Sequence, residues 1–294
     1  MTHLPSRRQV TLGLAAAPFI SHGLAFADDK SAAAIKSIAS LEKSVGARLG
    51  VTLIDASGKI LVAHKPDERF PMCSTFKLIA SAAVLAKVDT GAEKLDRVVP
   101  YKESDLLSYA PVSKAHVGEG GMKLGDLCAA AVQWSDNTAA NLILDVIGGP
   151  KGFTDFCRTL GDHVTRLDRT ELSLNTAIPG DPRDTTSPRA MAMSLRAALV
   201  GETLTVRSRQ QLAEWAIGDK VGDKRVRAGL PKDWLIGDKT GTGAFGSTNT
   251  IGFFKPAGSD RELFFSVYMT QSKATIDARE AVHKSLGEIF ATLV

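Results

Sequence analysis

From Ser74 to Leu85 nearly every position is apolar, with Phe76, Leu78, Ile79, Ala80, Ala82, Ala83, Val84 and Leu85 leaving no polar stripe at helical spacing. Such a run predicts a helix buried on all sides. Lys77 interrupts it three residues after Ser74, and residues three apart share a helix face. An ammonium buried without a carboxylate is costly, so it loses its proton or finds hydrogen bonds. Taken alone, the pair reads as a serine cap and a lysine whose head reaches solvent. The alternative is a serine nucleophile with lysine as its base or proton relay.

Elsewhere the pattern alternates between two periods. Ile35, Ile38, Leu41 and Val45 predict a first helix over 31–45. Two strand-like runs, Gly50–Asp55 and Lys59–His64, flank the turn Ala56-Ser57-Gly58. From Ser74 to about Leu212 most segments read as helices. Strands are then predicted at Trp234–Lys239, Thr250–Phe254 and Leu263–Met269, before an amphipathic helix marked by Ala278, Val282, Leu286, Ile289, Phe290 and Leu293. Both chain ends therefore supply helix and strand, and the middle is helical. This predicts an α/β part, a five-stranded antiparallel sheet flanked by the terminal helices, with an all-α domain inserted into it. The sheet domain takes residues 28–65 and 217–294, the helical domain residues 66–216. A cleft between them is the expected place for a site.

Composition narrows the function. The 294 residues are 44% hydrophobic and 23% charged, as in ordinary soluble globular proteins. Residues 1–27 read as an export signal: a twin-arginine pattern, Ser6-Arg7-Arg8-Gln9-Val10-Thr11-Leu12, then a short apolar stretch and the small-x-small site Ala25-Phe26-Ala27. A periplasmic or secreted protein cleaved after Ala27 is expected. The formal charge of +4 falls to +2 without the signal, too little to argue for nucleic acid or a membrane surface as partner. Outside the signal the histidines are His64, His116, His163 and His283, without metal-ligand spacing, so neither a metal nor a cofactor is expected. Cys73, Cys128 and Cys157 form an odd set, read as buried free thiols.

Two further short motifs fall where a cleft needs them. Ser135-Asp136-Asn137 separates two helical runs, Leu124–Gln133 and Thr138–Ile147, and alone would be a helix cap. Lys239-Thr240-Gly241 ends a predicted strand and offers a cation, a hydroxyl and a glycine that admits close approach to the backbone. The overlapping run Gly241 to Gly246 fits the dinucleotide fingerprint G-x-G-x-x-G. That fingerprint must open a helix, and here a strand-like run follows, so it is rejected.

The ordered set S-x-x-K, S-D-N, K-T-G marks class A β-lactamases and penicillin-binding proteins. The chain resembles the class A β-lactamases over residues 31–294, including Tyr109-Ala-Pro111, the run "AANLIL" after Asn137, and Arg166 to Asn175, which is similar to the family's Ω-loop (near 166–184). The resemblance implies hydrolysis of a β-lactam, a small-molecule substrate, by a monomer. It implies Ser74 as nucleophile, Lys77 or Glu171 as acylation base, Ser135 as proton relay and Glu171 as the deacylating base, holding water together with Asn175. Substrate binding would fall to Tyr109, Asn137, Lys239, Thr240, Gly241, Thr242 and Arg225, and an Arg169–Asp184 ion pair would close the loop.

The sequence also departs from the family. Thr248 stands where many members carry arginine, and Arg225 matches the alternative arginine position. Leu172 follows Glu171 where proline is frequent, and a cis Glu171–Leu172 bond is expected. Gly243 stands where class A carbapenemases place the partner of the cysteine matching Cys73, and Ser81 where others pair Cys128, so no disulfide and no strong carbapenemase activity are expected. A D-alanyl-D-alanine peptidase, a β-lactam sensor domain and a glutaminase share S-x-x-K chemistry and stay open as rivals.

Overall fold

The computed structural model describes Met1 and residues 24–294, with side chains from Asp29 onward. The twin-arginine pattern and the apolar stretch after it lie outside the described residues. Helix α1 spans Leu24–Ser44 and so begins earlier than its apolar spacing predicts. No glycine or proline lies between Leu24 and Ser44, so nothing stops the helix before Ala25-Phe26-Ala27. It packs on a hairpin of β1 (Arg48–Asp55) and β2 (Ile60–His64). Half-buried Glu42 fastens it there, accepting from Leu49 N at 2.8 Å and pairing with Lys65 Nζ at 2.6 Å.

A two-residue strand, β3 (Phe70–Pro71), leads through a 3₁₀ turn at Cys73–Thr75 into α2 (Phe76–Asp89). Every residue of α2 from Phe76 to Leu85 is buried, Lys77 included, as the unbroken apolar run requires. Strands β4 (Val98–Val99) and β5 (Met122–Lys123) pair before α3 (Leu124–Gln133), α4 (Asn137–Ile147) and α5 (Gly149–Thr159). A long loop then returns to β6 (Thr185–Thr186), which pairs with β3, and α6 (Pro188–Val200), α7 (Val206–Ile217) and the short α8 (Val226–Gly229) follow.

Strands β7 (Leu235–Gly243), β8 (Ser247–Lys255) and β9 (Leu263–Thr270) complete the main sheet, and α9 (Ile276–Thr292) covers it. The sheet has five strands and is antiparallel throughout, as the sequence pattern predicts; the structure adds the order, β2-β1-β9-β8-β7. Because side chains alternate across a strand, the sheet serves two cores. Phe253, Phe264 and Tyr268 pack with the helical layer, and Phe254, Phe265 and Val267 pack with α1 and α9. One expectation is corrected: Lys239-Thr240-Gly241 lies inside β7, not at its end. Glycine and threonine read as a stop, but pairing of Gly241 with Asn249 and Thr242 with Thr248 carries the strand on.

The turn holding Ser74 is gripped from the sheet. Asn249 Nδ2 donates to Pro71 O at 2.9 Å and Met72 O at 3.0 Å, and its Oδ1 accepts from Met269 N at 3.2 Å. Thr75 Oγ1 meets Tyr268 Oη at 3.0 Å. The three cysteines are free and buried, with burial pushing the thiols of Cys73 and Cys128 up to about 12.

Two outcomes follow from this packing. Asn249→Ala removes one donor each from the buried Pro71 O and Met72 O and the acceptor of Met269 N, and should cost about 1–3 kcal/mol, read as a lower urea midpoint at unchanged m. Native protein should resist iodoacetamide, because the reactive species is the thiolate; denatured, unreduced protein should take up three adducts, and uptake of one would reveal a disulfide.

Candidate active site

Two residues around the motifs take left-handed backbone conformations that non-glycine residues rarely adopt: Cys73 at φ 47° before Ser74, and Ser135 at φ 58°. Asp136 explains the second. It is the N-cap of α4, its Oδ1 accepting from Ala139 N at 2.9 Å. Its other bonds hold the loop of residues 109–113: Oδ2 accepts from Val112 N and Ser113 N at 3.0 and 2.8 Å, and Oδ1 from Ser113 Oγ at 2.6 Å. Asn137 N donates to Tyr109 O at 2.9 Å. The middle residue of S-D-N therefore builds the corner, and its neighbours Ser135 and Asn137 are presented from it.

Lys77 and Glu171 are both wholly buried and meet at 3.0 Å through Lys77 Nζ and Glu171 Oε1. Lys77 Nζ also donates to Ser135 O at 2.8 Å, to Asn137 Oδ1 at 2.6 Å and, at 3.5 Å, to Ser135 Oγ. Ser74 Oγ lies 3.3 Å from the same Glu171 Oε1. The serine and lysine that share a face thus converge on one carboxylate oxygen. Burial holds the Lys77 ammonium below its ordinary pKa, and the charge of Glu171 works against that fall.

The loop carries Glu171 with fixed geometry. Arg169 Nε pairs with Asp184 Oδ2 at 2.6 Å, and Asp184 Oδ1 accepts from Asp168 N and Arg169 N at 2.8 and 2.9 Å. The Glu171–Leu172 bond is cis, as expected without proline. Asn175 Nδ2 donates to Glu171 Oε2. Asn141, to which sequence reading attached no role, clamps the Glu171 backbone from both sides: Glu171 N donates to Asn141 Oδ1 at 2.9 Å, and Asn141 Nδ2 to Glu171 O at 3.0 Å. Its spacing of four from Asn137 places both amides on one helix face, a signal available in the sequence.

Strand β7 is the sheet's edge and the far wall of the cleft. A cavity of about 320 Å³ is lined by Ser74, Tyr109, Ser135, Asn137, Asn175, Val221, Arg225, Thr240, Gly241 and Thr242. All but Val221 are residues singled out from sequence; Lys77, Glu171 and Lys239 stand behind its wall, buried. Gly241 packs so closely that a Cβ there would stand 2.9 Å from Met72 O and 3.2 Å from Ser74 N, which is why the motif ends in glycine. Lys239 Nζ donates to Thr240 O at 2.9 Å, and burial pulls this ammonium down to about 7. Arg225 spends two donor contacts on Gly241 O (3.0 Å) and Asn249 O (2.8 Å), a third on Thr242 Oγ1 (2.8 Å), and pairs with Glu280 at 3.3 Å. Thr248 stays off these contacts, its hydroxyl buried without a partner. The Gly241 to Gly246 run spans the end of β7 and the turn into β8, and opens no helix.

A hydroxyl and an amine that both reach one carboxylate oxygen, beside a cleft rimmed by amide and hydroxyl donors, is equipment for acyl transfer through a serine ester. Comparisons with known proteins agree. The model of the β-lactamase enzyme family matches residues 30–291. The β-lactamases CTX-M-8 of Citrobacter amalonaticus and CTX-M-25 of Escherichia coli are 46% and 47% identical over 252 residues, in each case 86% of this chain and 86% of the relative. A solved ancestral class A β-lactamase is 52% identical with a TM-score of 0.86, covering 89% of this chain and 100% of its own. The chain belongs to the β-lactamase enzyme family, in class A.

Proposed function

We propose that this enzyme opens the β-lactam ring of penicillins and cephalosporins through an ester on Ser74, and so confers resistance to them. The observation that carries the reading is the single oxygen Glu171 Oε1, within reach of both Ser74 Oγ and Lys77 Nζ. As Ser74 Oγ adds to the lactam carbonyl, its proton passes to Lys77 or Glu171, the two groups that share this oxygen. Ser135 Oγ hands a proton to the departing lactam nitrogen. The backbone amides of Ser74 and Thr242 hold the developing oxyanion, a preorganised field that is commonly the largest contribution to such chemistry.

Substrate is held from both walls. Asn137 takes the side-chain amide, Lys239, Thr240 and Thr242 take the carboxylate, and Arg225 supports Thr242 from behind while Tyr109 flanks the mouth. Deacylation is the task of Glu171, which with Asn175 directs water onto the ester. That carboxylate and its loop are what favour a hydrolase over a peptidase or sensor that stays acylated. The chain works as a monomer of two units, a helical one over 66–216 and a sheet unit from the remainder after residue 27. The twin-arginine pattern supports export to the periplasm or beyond, with cleavage after Ala27; among the described residues no helix is long and apolar enough to cross a membrane. Gly243 in place of a second cysteine supports weak carbapenem turnover.

Purified protein should hydrolyse a chromogenic cephalosporin over many turnovers; stoichiometric reaction alone would point to a peptidase or sensor. A positioned general base contributes roughly 10²–10⁴-fold, and acylation retains Lys77 when Glu171 is lost. Glu171→Ala should therefore accumulate a benzylpenicillin adduct on the Ser74 peptide, Ser74→Ala none, and Lys77→Ala one that forms slowly. Intact-protein mass spectrometry reads all three. Wild-type turnover by Glu171→Ala would remove Glu171 as the deacylating base.

A further inference from the structure

The long loop that carries Glu171 also lines a second cavity, of about 270 Å³, which shares no lining residue with the cleft. Its walls come from two parts of the chain. The loop supplies Arg169, Asp181 and Arg183, and the body supplies Arg48 at the start of β1 and Arg69 just before β3. Four guanidiniums thus line a space smaller than the roughly 300–1,000 Å³ of sites for drug-sized ligands.

Like charges gather in one place only at a cost unless anions answer them. Three of these arginines have carboxylate partners: Arg48 reaches Glu68 at 3.0 Å, Arg169 holds Asp184 at 2.6 Å and Arg183 holds Asp181 at 2.8 Å. Glu68 and Asp184 stand outside the lining, so Asp181 is the one acidic residue on it among the described residues. Arg166 and Asp168 nearby pair with each other and add no net charge. Among the described residues Arg69 has no carboxylate partner. Its Nη1 donates to Val164 O at 2.9 Å and to Thr185 Oγ1 at 3.0 Å, which leaves Nε and Nη2 without a protein acceptor. Arg169 commits only Nε of its side chain, and both terminal nitrogens are left over. Four guanidiniums against three carboxylates leave one positive charge unanswered, with uncommitted N–H donors on both walls.

We propose that this cavity is a second ligand site, taking a small multivalent phosphate such as inorganic phosphate or diphosphate. A guanidinium presents its donors as a planar fork that matches phosphate oxygens. A tetrahedral phosphate directs oxygens several ways and can satisfy forks from two walls at once. A planar carboxylate satisfies one, as Asp181 does for Arg183. Bound between Arg69 and Arg169, the anion straps the loop to the body of the protein two residues ahead of Glu171, without entering the cleft.

Diphosphate at about ten times its Kd, compared with sodium chloride of equal ionic strength, should raise the thermal midpoint of the wild-type protein by about 3–5 °C. Arg69→Gln and Arg183→Gln should each lose that increment; because the increment is a difference with and without ligand, a lower midpoint of the variant itself does not obscure it. Hydrogen exchange of the backbone amides over residues 177–183 should slow in wild type when diphosphate is present. Citrate, multivalent but built of planar carboxylates, should give a smaller increment. No increment over sodium chloride in wild type overturns the site. An increment kept by both variants, with competitive inhibition of benzylpenicillin hydrolysis at the same concentrations, places the anion in the cleft and overturns it too. An increment with unaltered exchange overturns the strap, and an equal response to citrate overturns the preference for phosphate.

Discussion

Burying three cations around one cleft is the constraint on which the rest of this molecule depends. Lys77 and Lys239 are wholly buried and Arg225 nearly so. Each has lost most of its water, and each is answered by a carboxylate from a different part of the chain. Glu171 comes from the long loop, Glu280 from α9, and Asp219 with Asp238 from the loop after α7 and from β7. Removing one partner from such a pair leaves an uncompensated buried charge, which costs far more than the pair itself contributes. Each cation is therefore tolerable only once its own partner is docked, the loop for Lys77, the C-terminal helix for Arg225 and the acidic residues after α7 and on β7 for Lys239. Assembly of the site and assembly of the fold are one event.

The same residues that read as chemistry also sit in uncommon backbone states. Cys73, next to Ser74, and Ser135 adopt left-handed conformations, and such states cost about 1–3 kcal/mol each unless neighbours enforce them. Here the neighbours do. Asn249 fixes the carbonyls of Pro71 and Met72, and Asp136 ties the corner after Ser135 to residues 112, 113 and 139. Side chains presented from such anchored turns have little freedom to drift, and acyl transfer needs that placement.

Much of this was legible in the sequence. Ser74 and Lys77 stood out because a polar pair at helical spacing conflicts with an otherwise apolar helix. The five strands and the terminal helices followed from a change of period at Gly50 and again near Trp234. What escaped were residues whose meaning lies in a distant partner. Asn141 looks like one polar position on an amphipathic helix until Glu171, thirty residues on, reaches it. Asn249 looks like a strand residue, and its role appears only when β8 lies beside Pro71 and Met72. Likewise the glycines and threonines of β7 resemble a strand end, because local propensity is blind to the pairing with β8 that sustains them.

The order of the sheet has a consequence for how the chain comes into being. β9, residues 263–270, lies at the centre, with β1 on one side and β8 on the other. During synthesis the hairpin β1–β2 emerges about two hundred residues before its permanent neighbour, and must wait with one long edge unpaired. The hairpin β7–β8 cannot join it directly, since the place between them belongs to the last strand. Non-local closure of this kind is slow, and exposed strand edges invite association with other chains. The nascent protein thus passes through a long interval in which its helical middle can be collapsed while its sheet is open, an interval suited to chaperone binding.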